Sequence, residues 1–137
     1  MTASGGADGT VVNIKEEHSK GTSHAALGAF FEIAKAWRLS ADEQMVLLGK
    51  PPRSTFFKWK KEGGLLSHDT LERISFILGI YKALHILFPD HAEADEWIRW
   101  PNQISICNGQ SALSRMLGGS ITDLHLIRQY VDAMRGG

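Results

Sequence analysis

Residues 40–64 read SADEQMVLLGKPPRSTFFKWKKEGG. The punctuation of this stretch decides the fold. Ser40 stands three residues ahead of Glu43, a capping-box signature that opens a helix through Met45, Val46 and Leu48. Gly49 supplies the residue that ends such a helix, and Pro51-Pro52 forbids its continuation. A further helix starts near Arg53 or Ser54, runs to about Glu62 and closes at Gly63-Gly64. Leu47, Leu48 and Phe56 are the apolar residues expected to pack the pair together. Two helices joined by a tight turn, with one helix before and one after, form a helix-turn-helix.

The N-terminal side places Leu27, Phe30, Phe31, Ala34 and Trp37 at helical spacing, which predicts a helix from about Ala25 to Trp37. Residues 1–22 are rich in Gly, Ser, Thr and charge, with Val11, Val12 and Ile14 as their apolar cluster. They read as a flexible tail. On the C-terminal side Ser67 caps a long helix whose inner stripe is Leu71, Ile74, Ile77, Leu78, Tyr81, Leu84 and Leu87. Phe76, Ile80 and Ile86 add a second apolar stripe, so this helix must be covered on more than one side, and a homodimer is expected to supply the extra cover. Pro89 stops it. Short helices follow over His91–Arg99 and Ser111–Leu117. Ser120 with Asp123 caps a last helix with the inner face Leu124, Ile127, Val131 and Met134. Strand alternation is confined to Gln103–Cys107, too short to matter. The fold class is all-α, divided into a tail (1–22), a helix-turn-helix part (23–66) and a C-terminal helical part (67–137).

Charge is balanced, with 15 basic against 15 acidic side chains, so any nucleic-acid footprint must be a local patch. Residues 50–62 carry one: Lys50, Arg53, Lys58, Lys60 and Lys61 against the single acid Glu62. Ser54 and Thr55 at the helix start suit phosphate contact, where free backbone N–H groups also point. Arg53 is the candidate for reading a guanine edge. The rival reading is a short amphipathic helix solvated by lysines. Against it stands the aromatic density: Phe56, Phe57 and Trp59 cannot all face inward from one helix. At least one must meet a partner helix, a dimer mate or DNA.

The C-terminal half carries a resemblance. Residues 71–89 (LERISFILGIYKALHILFP), 94–102 (ADEWIRWPN), 109–113 (GQSAL), 116–119 (MLGG) and 126–136 (LIRQYVDAMRG) resemble the Xre/MbcA/ParS antitoxin family. Residues 53–61 (RSTFFKWKK) are similar to that family's helix-turn-helix, and the resemblance extends over roughly 25–137. It implies a C-terminal half that binds a toxin, commonly a RES-type toxin that uses or degrades NAD, and occludes its active site. It also implies a complex that represses its own operon by binding operator DNA through the N-terminal half. Toxin contact then falls to Arg128, Tyr130, Asp132 and Arg135. Read from spacing, Arg128 and Tyr130 point away from the Leu124/Ile127/Val131 stripe, and Arg135 near the free end reaches toward a concave anionic site. The rival reading makes both arginines ordinary cations at a helix C-terminus. Trp97 and Trp100, flanking Arg99, fit either an interface anchor or the core. The chain departs from the family at Ser111-Ala112-Leu113, where proline is common in second place. Alanine is tolerable there because proline in a first helical turn only pre-organises the backbone. The long glycine-rich N-terminus is a second departure.

Enzyme chemistry finds no footing. The six histidines show no i, i+4 pair and no cysteine partner, so no metal site is expected, and no cofactor. His85 reads as a satisfied core or interface histidine. Cys107, the sole cysteine, precludes an internal disulfide and lacks the setting of a thiolate nucleophile. Asp90, Glu93, Asp95 and Glu96 read as a solvated N-terminal turn. Gly63-Gly64 and Gly118-Gly119 follow no strand and are turns. The N-terminus lacks a secretory pattern, and the longest apolar stretch, Phe76–Phe88, is too short to span a bilayer and contains Lys82 and His85. A cytoplasmic protein without membrane contact is expected. The reading is therefore an antitoxin. The alternative is a stand-alone helix-turn-helix regulator whose C-terminal half only dimerises. A small enzyme with a cleft between the halves would need paired polar groups that the sequence does not show.

Overall fold

The computed structural model describes residues 3–101 and 107–136, with side chains from Lys20 onward. Its elements are α1 (Ala3–Ala36), α2 (Ala41–Leu47), α3 (Arg53–Glu62), α4 (His68–Leu87), α5 (His91–Glu96), a 3-10 turn (Trp97–Arg99), α6 (Ala112–Met116) and α7 (Ile121–Met134). Among the described residues the single strand-like feature is an antiparallel bridge between Pro101 and Ser111. The expected strand candidate, residues 103–107, lies outside them apart from Cys107. No described helix is long and apolar enough to cross a membrane.

The helix starts follow local chemistry. Ser40 Oγ accepts from Glu43 N at 3.1 Å while Glu43 Oε1 accepts from Ser40 N at 2.8 Å. Ser67, Asp90, Ser111 and Ser120 cap α4, α5, α6 and α7 in turn. Two boundaries differ from expectation. Helix α1 reaches back to Ala3, through the stretch read as a tail, because the first proline is Pro51 and nothing earlier forbids helical φ. The segment 91–99 is not one helix: α5 ends at Glu96 and tightens into a 3-10 turn, as chain ends approaching a proline often do.

Helix α4 is the axis of the molecule. It packs against α7 on one side, α1 on another and α5 near its end. Ile74, Ile77, Ile80 and Leu84 are fully buried, and one continuous core runs from Leu27 and Phe30 on α1 through Phe56 on α3 to Leu124, Ile127 and Val131 on α7. The second apolar stripe of α4 is thus covered largely within the chain: Ile80 is inaccessible, and Phe76 meets His125 edge-on at 5.1 Å. Ile86 alone on that stripe stays open, at 64% exposure.

Candidate functional site

Between α2 and α3 the backbone turns on Gly49 and Lys50, both at positive φ (95° and 60°). Leu47, Leu48 and Phe56 are buried beneath this turn, as their apolar character requires. The turn rests on the C-terminal half: the aliphatic end of Lys50 lies over Gly119. Arg73 of α4 sits beside Gly49, paired with Asp69 at 2.9 Å and donating to Gly119 O at 3.1 Å.

The three aromatics of α3 divide as one helix must divide them. Phe56 is buried edge-on against Phe31 at 6.0 Å and Phe57 at 5.1 Å. Trp59 is half-buried, its ring held so close to Gly64 that a Cβ there would stand 2.9 Å from it. Phe57 faces outward at 42% exposure, with the Arg53 guanidinium 5.4 Å from its centroid. Ser54, Phe57, Lys58 and Lys61 share the outward face at helical spacing. Lys50, Arg53 and Lys60 are likewise exposed, and Thr55 is half-buried at the flank. Arg53 also pairs with Asp42 at 3.2 Å, but both side chains are largely exposed, and such a pair yields to a better partner at little cost.

Helix α7 lays Arg128 across α4. Its Nε bonds Asp132 at 3.0 Å, Nη1 donates to Ser75 O at 3.4 Å, and the guanidinium occupies the space a side chain at Gly79 would take. Asp132 also meets Arg135 at 3.6 Å. With Lys82 and Ile86 of α4 these residues border a hollow of about 200 Å³. Lys82 was missed in the sequence because nothing local relates α4 to α7. Tyr130 does not join the cluster. Two residues along a helix is a rotation of about 200°, so Tyr130 lies on the opposite flank, half-buried and stacked on Trp97 (6.3 Å, 19°). The two tryptophans separate: Trp97 is core, Trp100 is exposed and packs against Phe88. Arg99 donates to Trp37 O at 2.6 Å and Arg38 O at 3.1 Å, so it caps the end of α1 from the far half of the chain.

His85 bonds Asp95 at 2.8 Å through Nε2 and His91 at 2.8 Å through Nδ1. It is a satisfied histidine as expected, whereas Asp95 is not simply solvated: it is half-buried as that histidine's partner. Among the described residues no three His, Cys, Asp or Glu side chains are grouped to hold a metal. Burial pushes the Cys107 thiol above its ordinary range, with Arg115 pulling weakly the other way. A raised thiol at 3% exposure is a poor nucleophile.

Residues 17–79 match the family model described as the antitoxin Xre-like helix-turn-helix domain. Residues 83–137 match the antitoxin Xre/MbcA/ParS C-terminal toxin-binding domain. The chain is also similar to "Uncharacterized protein y4oB" of Sinorhizobium fredii, 59% identical over 113 residues, or 82% of this chain and 86% of that protein.

Proposed function

Because the chain belongs to the Xre/MbcA/ParS antitoxin family, we propose that it neutralises a RES-type, NAD-using toxin and represses its own operon by binding operator DNA. A toxin-binding domain and a helix-turn-helix domain in one chain carry the coarser statement, an antitoxin. The observation supporting the DNA part is the outward face of α3, where Ser54, Lys58 and Lys61 stand beside Arg53, with Lys50, Thr55 and Lys60 at its margins. Lysines there neutralise phosphates, and Arg53 reads a base edge after releasing Asp42. Toxin contact is assigned to Arg128, Asp132 and Arg135, with Lys82 beside them. The cations among them, Arg128, Arg135 and Lys82, suit a toxin site built for an anionic dinucleotide. Tyr130 serves this surface by fixing α7 against Trp97.

Inducing the adjacent open reading frame alone, and then with this chain, tests the proposal. Growth arrest relieved by co-expression, with co-purification of the two proteins, is the expected result. No toxicity and no complex leaves a stand-alone regulator as the better account. For the DNA part, Lys58→Ala should lower the salt slope of operator binding by about one unit, and Arg53→Ala should relax sequence preference. Equal affinity in all three proteins removes α3 from the groove. The expected homodimer now needs a footing other than the width of the α4 stripe, which α1 and α7 largely cover. Light scattering decides it.

A further inference from the structure

The basic face of α3 does not end with α3. Lys58 also borders a hollow of about 560 Å³, whose other walls are Lys20, Gly21 and His24 of α1, Glu62, and the loop Gly63–Leu65. The hollow has a fixed shape. Leu66 N donates to Ser23 Oγ at 3.1 Å, and Ser23 is 1% exposed, so the loop after α3 is fastened to α1. Gly63 adopts φ 78°, with the His24 ring 3.5 Å from where its Cβ would stand, and Trp59 braces Gly64 from beneath. Lys20, His24, Lys58, Glu62, Gly64 and Leu65 are all exposed around it.

The hollow is open and its lining is mostly apolar, but its charged groups lean basic: Lys20 and Lys58 face the single carboxylate of Glu62, with the His24 imidazole beside them. That suits an anion carried on an extended strand better than an enclosed small molecule. Lys58 belongs both to this hollow and to the outward face of α3, so a duplex whose groove receives α3 runs its sugar–phosphate strand past the hollow. The half-exposed Leu65 (53%) offers that strand's deoxyribose an apolar contact. We propose that Lys20 and His24 of α1 extend the DNA interface, and that the hollow between α1, the end of α3 and the loop 63–65 seats a phosphate of the operator backbone. This rests on the DNA-binding reading above and deepens it. The contact adds affinity without sequence preference, because a phosphate is the same at every step. Glu62 opposes it, which makes its removal a test of the opposite sign.

The experiment is fluorescence anisotropy of the full chain on a duplex from its own promoter and on an unrelated duplex, across a salt series. Lys20→Ala should weaken both complexes by about fivefold near 0.15 M salt and lower the salt slope by about one. His24→Ala should cause a smaller loss on both, and Glu62→Gln should tighten both. Circular dichroism should be unchanged, because the replaced side chains are exposed. If Lys20→Ala and Glu62→Gln match the wild type while Lys58→Ala still weakens binding, the inference fails and the α3 reading survives. A Lys20→Ala loss confined to the promoter duplex overturns the backbone assignment. If the wild type binds neither duplex, this inference and the DNA reading fall together.

Discussion

Gly79 shows how one missing side chain shapes a surface. It lies in the fourth turn of α4, where an alanine methyl would land on the Arg128 guanidinium. Alanine within a helix gains roughly 0.5–1 kcal/mol over glycine, and the atoms it displaces are the mobile end of a long side chain. Gly79→Ala should therefore leave thermal stability unchanged or slightly raised, while forcing Arg128 off Ser75 O. If the toxin reads Arg128 where α4 holds it, the variant should lose toxin affinity about as far as Arg128→Ala does. Calorimetric titration against purified toxin beside a melting curve separates the two effects, and full affinity in Gly79→Ala would show that the position of Arg128 is immaterial.

A second residue-scale consequence concerns protons. Burial, and then the charge of Asp95, holds Tyr81 above its ordinary 10.0, and burial holds Cys107 above 9.0. Both are acids whose neutral form is favoured in the folded chain. Above about pH 9 the native protein therefore binds more protons than the unfolded one. Their stabilising contribution is complete below that pH and is lost as pH rises toward the elevated values. Urea midpoints should be level from pH 7 to 8.5 and fall from about pH 9.5 upward. A midpoint unchanged at pH 10.5 contradicts the assignment.

At the scale of elements, two capping boxes set the starts of α2 and α7, and they are not equivalent. Ser40 and Glu43 serve only α2. Asp123 accepts from Ser120 N at 3.3 Å through Oδ2 and from Arg115 Nε at 2.7 Å through Oδ1, with 14% of its side chain exposed. Ser40→Ala should cost about 1 kcal/mol, the ordinary worth of a cap. Asp123→Ala should cost about 2–3 kcal/mol, because it also strips a partly buried guanidinium of a partner. Guanidinium denaturation measures both, and equal losses would show that the Arg115 pair contributes nothing.

These boxes also mark what was legible in the sequence. Ser40, Gly49, Pro51-Pro52, Ser67 and Ser120 act on backbone within four residues, so their message is complete in one dimension, and the helix order followed from them. The split of the aromatics on α3 was legible too, since three bulky rings in four residues cannot share a face. Contacts set by packing were not. That Arg128 lies over Gly79 while Tyr130 stacks on Trp97 depends on how α7 crosses α4 and the 3-10 turn. The Asp95–His85 pair joins residues ten apart across the bend at Pro89. Lys20 and His24 fell in or beside a stretch whose glycines read as a tail, so their place beside α3 was invisible until α1 ran back past them.

For the molecule as a whole, the seam between its two family domains falls inside α4. The helix-turn-helix match ends at residue 79 and the toxin-binding match begins at 83, within one helix whose Ile74, Ile77, Ile80 and Leu84 are all inaccessible. Polar ties cross the same divide: Arg99 to the end of α1, Arg38 to Glu96, Arg73 to Gly119 O and Arg128 to Ser75 O. A cut after residue 66, the boundary suggested by turn residues, removes α4 from beside Leu27, Phe30, Ile33, Ala34 and Trp37. Those side chains are 0–4% exposed in the whole chain. Opening the large ones, Leu27, Phe30, Ile33 and Trp37, costs about 1.5–3 kcal/mol each, more than a short three-helix fragment has to lose. Residues 1–66 should therefore show weak helical ellipticity and no cooperative melt. The full chain should melt in one transition, coincident by circular dichroism and tryptophan fluorescence. Two separated transitions, or a folded 1–66 fragment, would make the halves independent bodies. A single transition means that whatever steadies α7 also steadies α4 and the α2–α3 turn resting on Gly119. Should toxin change operator binding by some factor, operator must change toxin binding by the same factor.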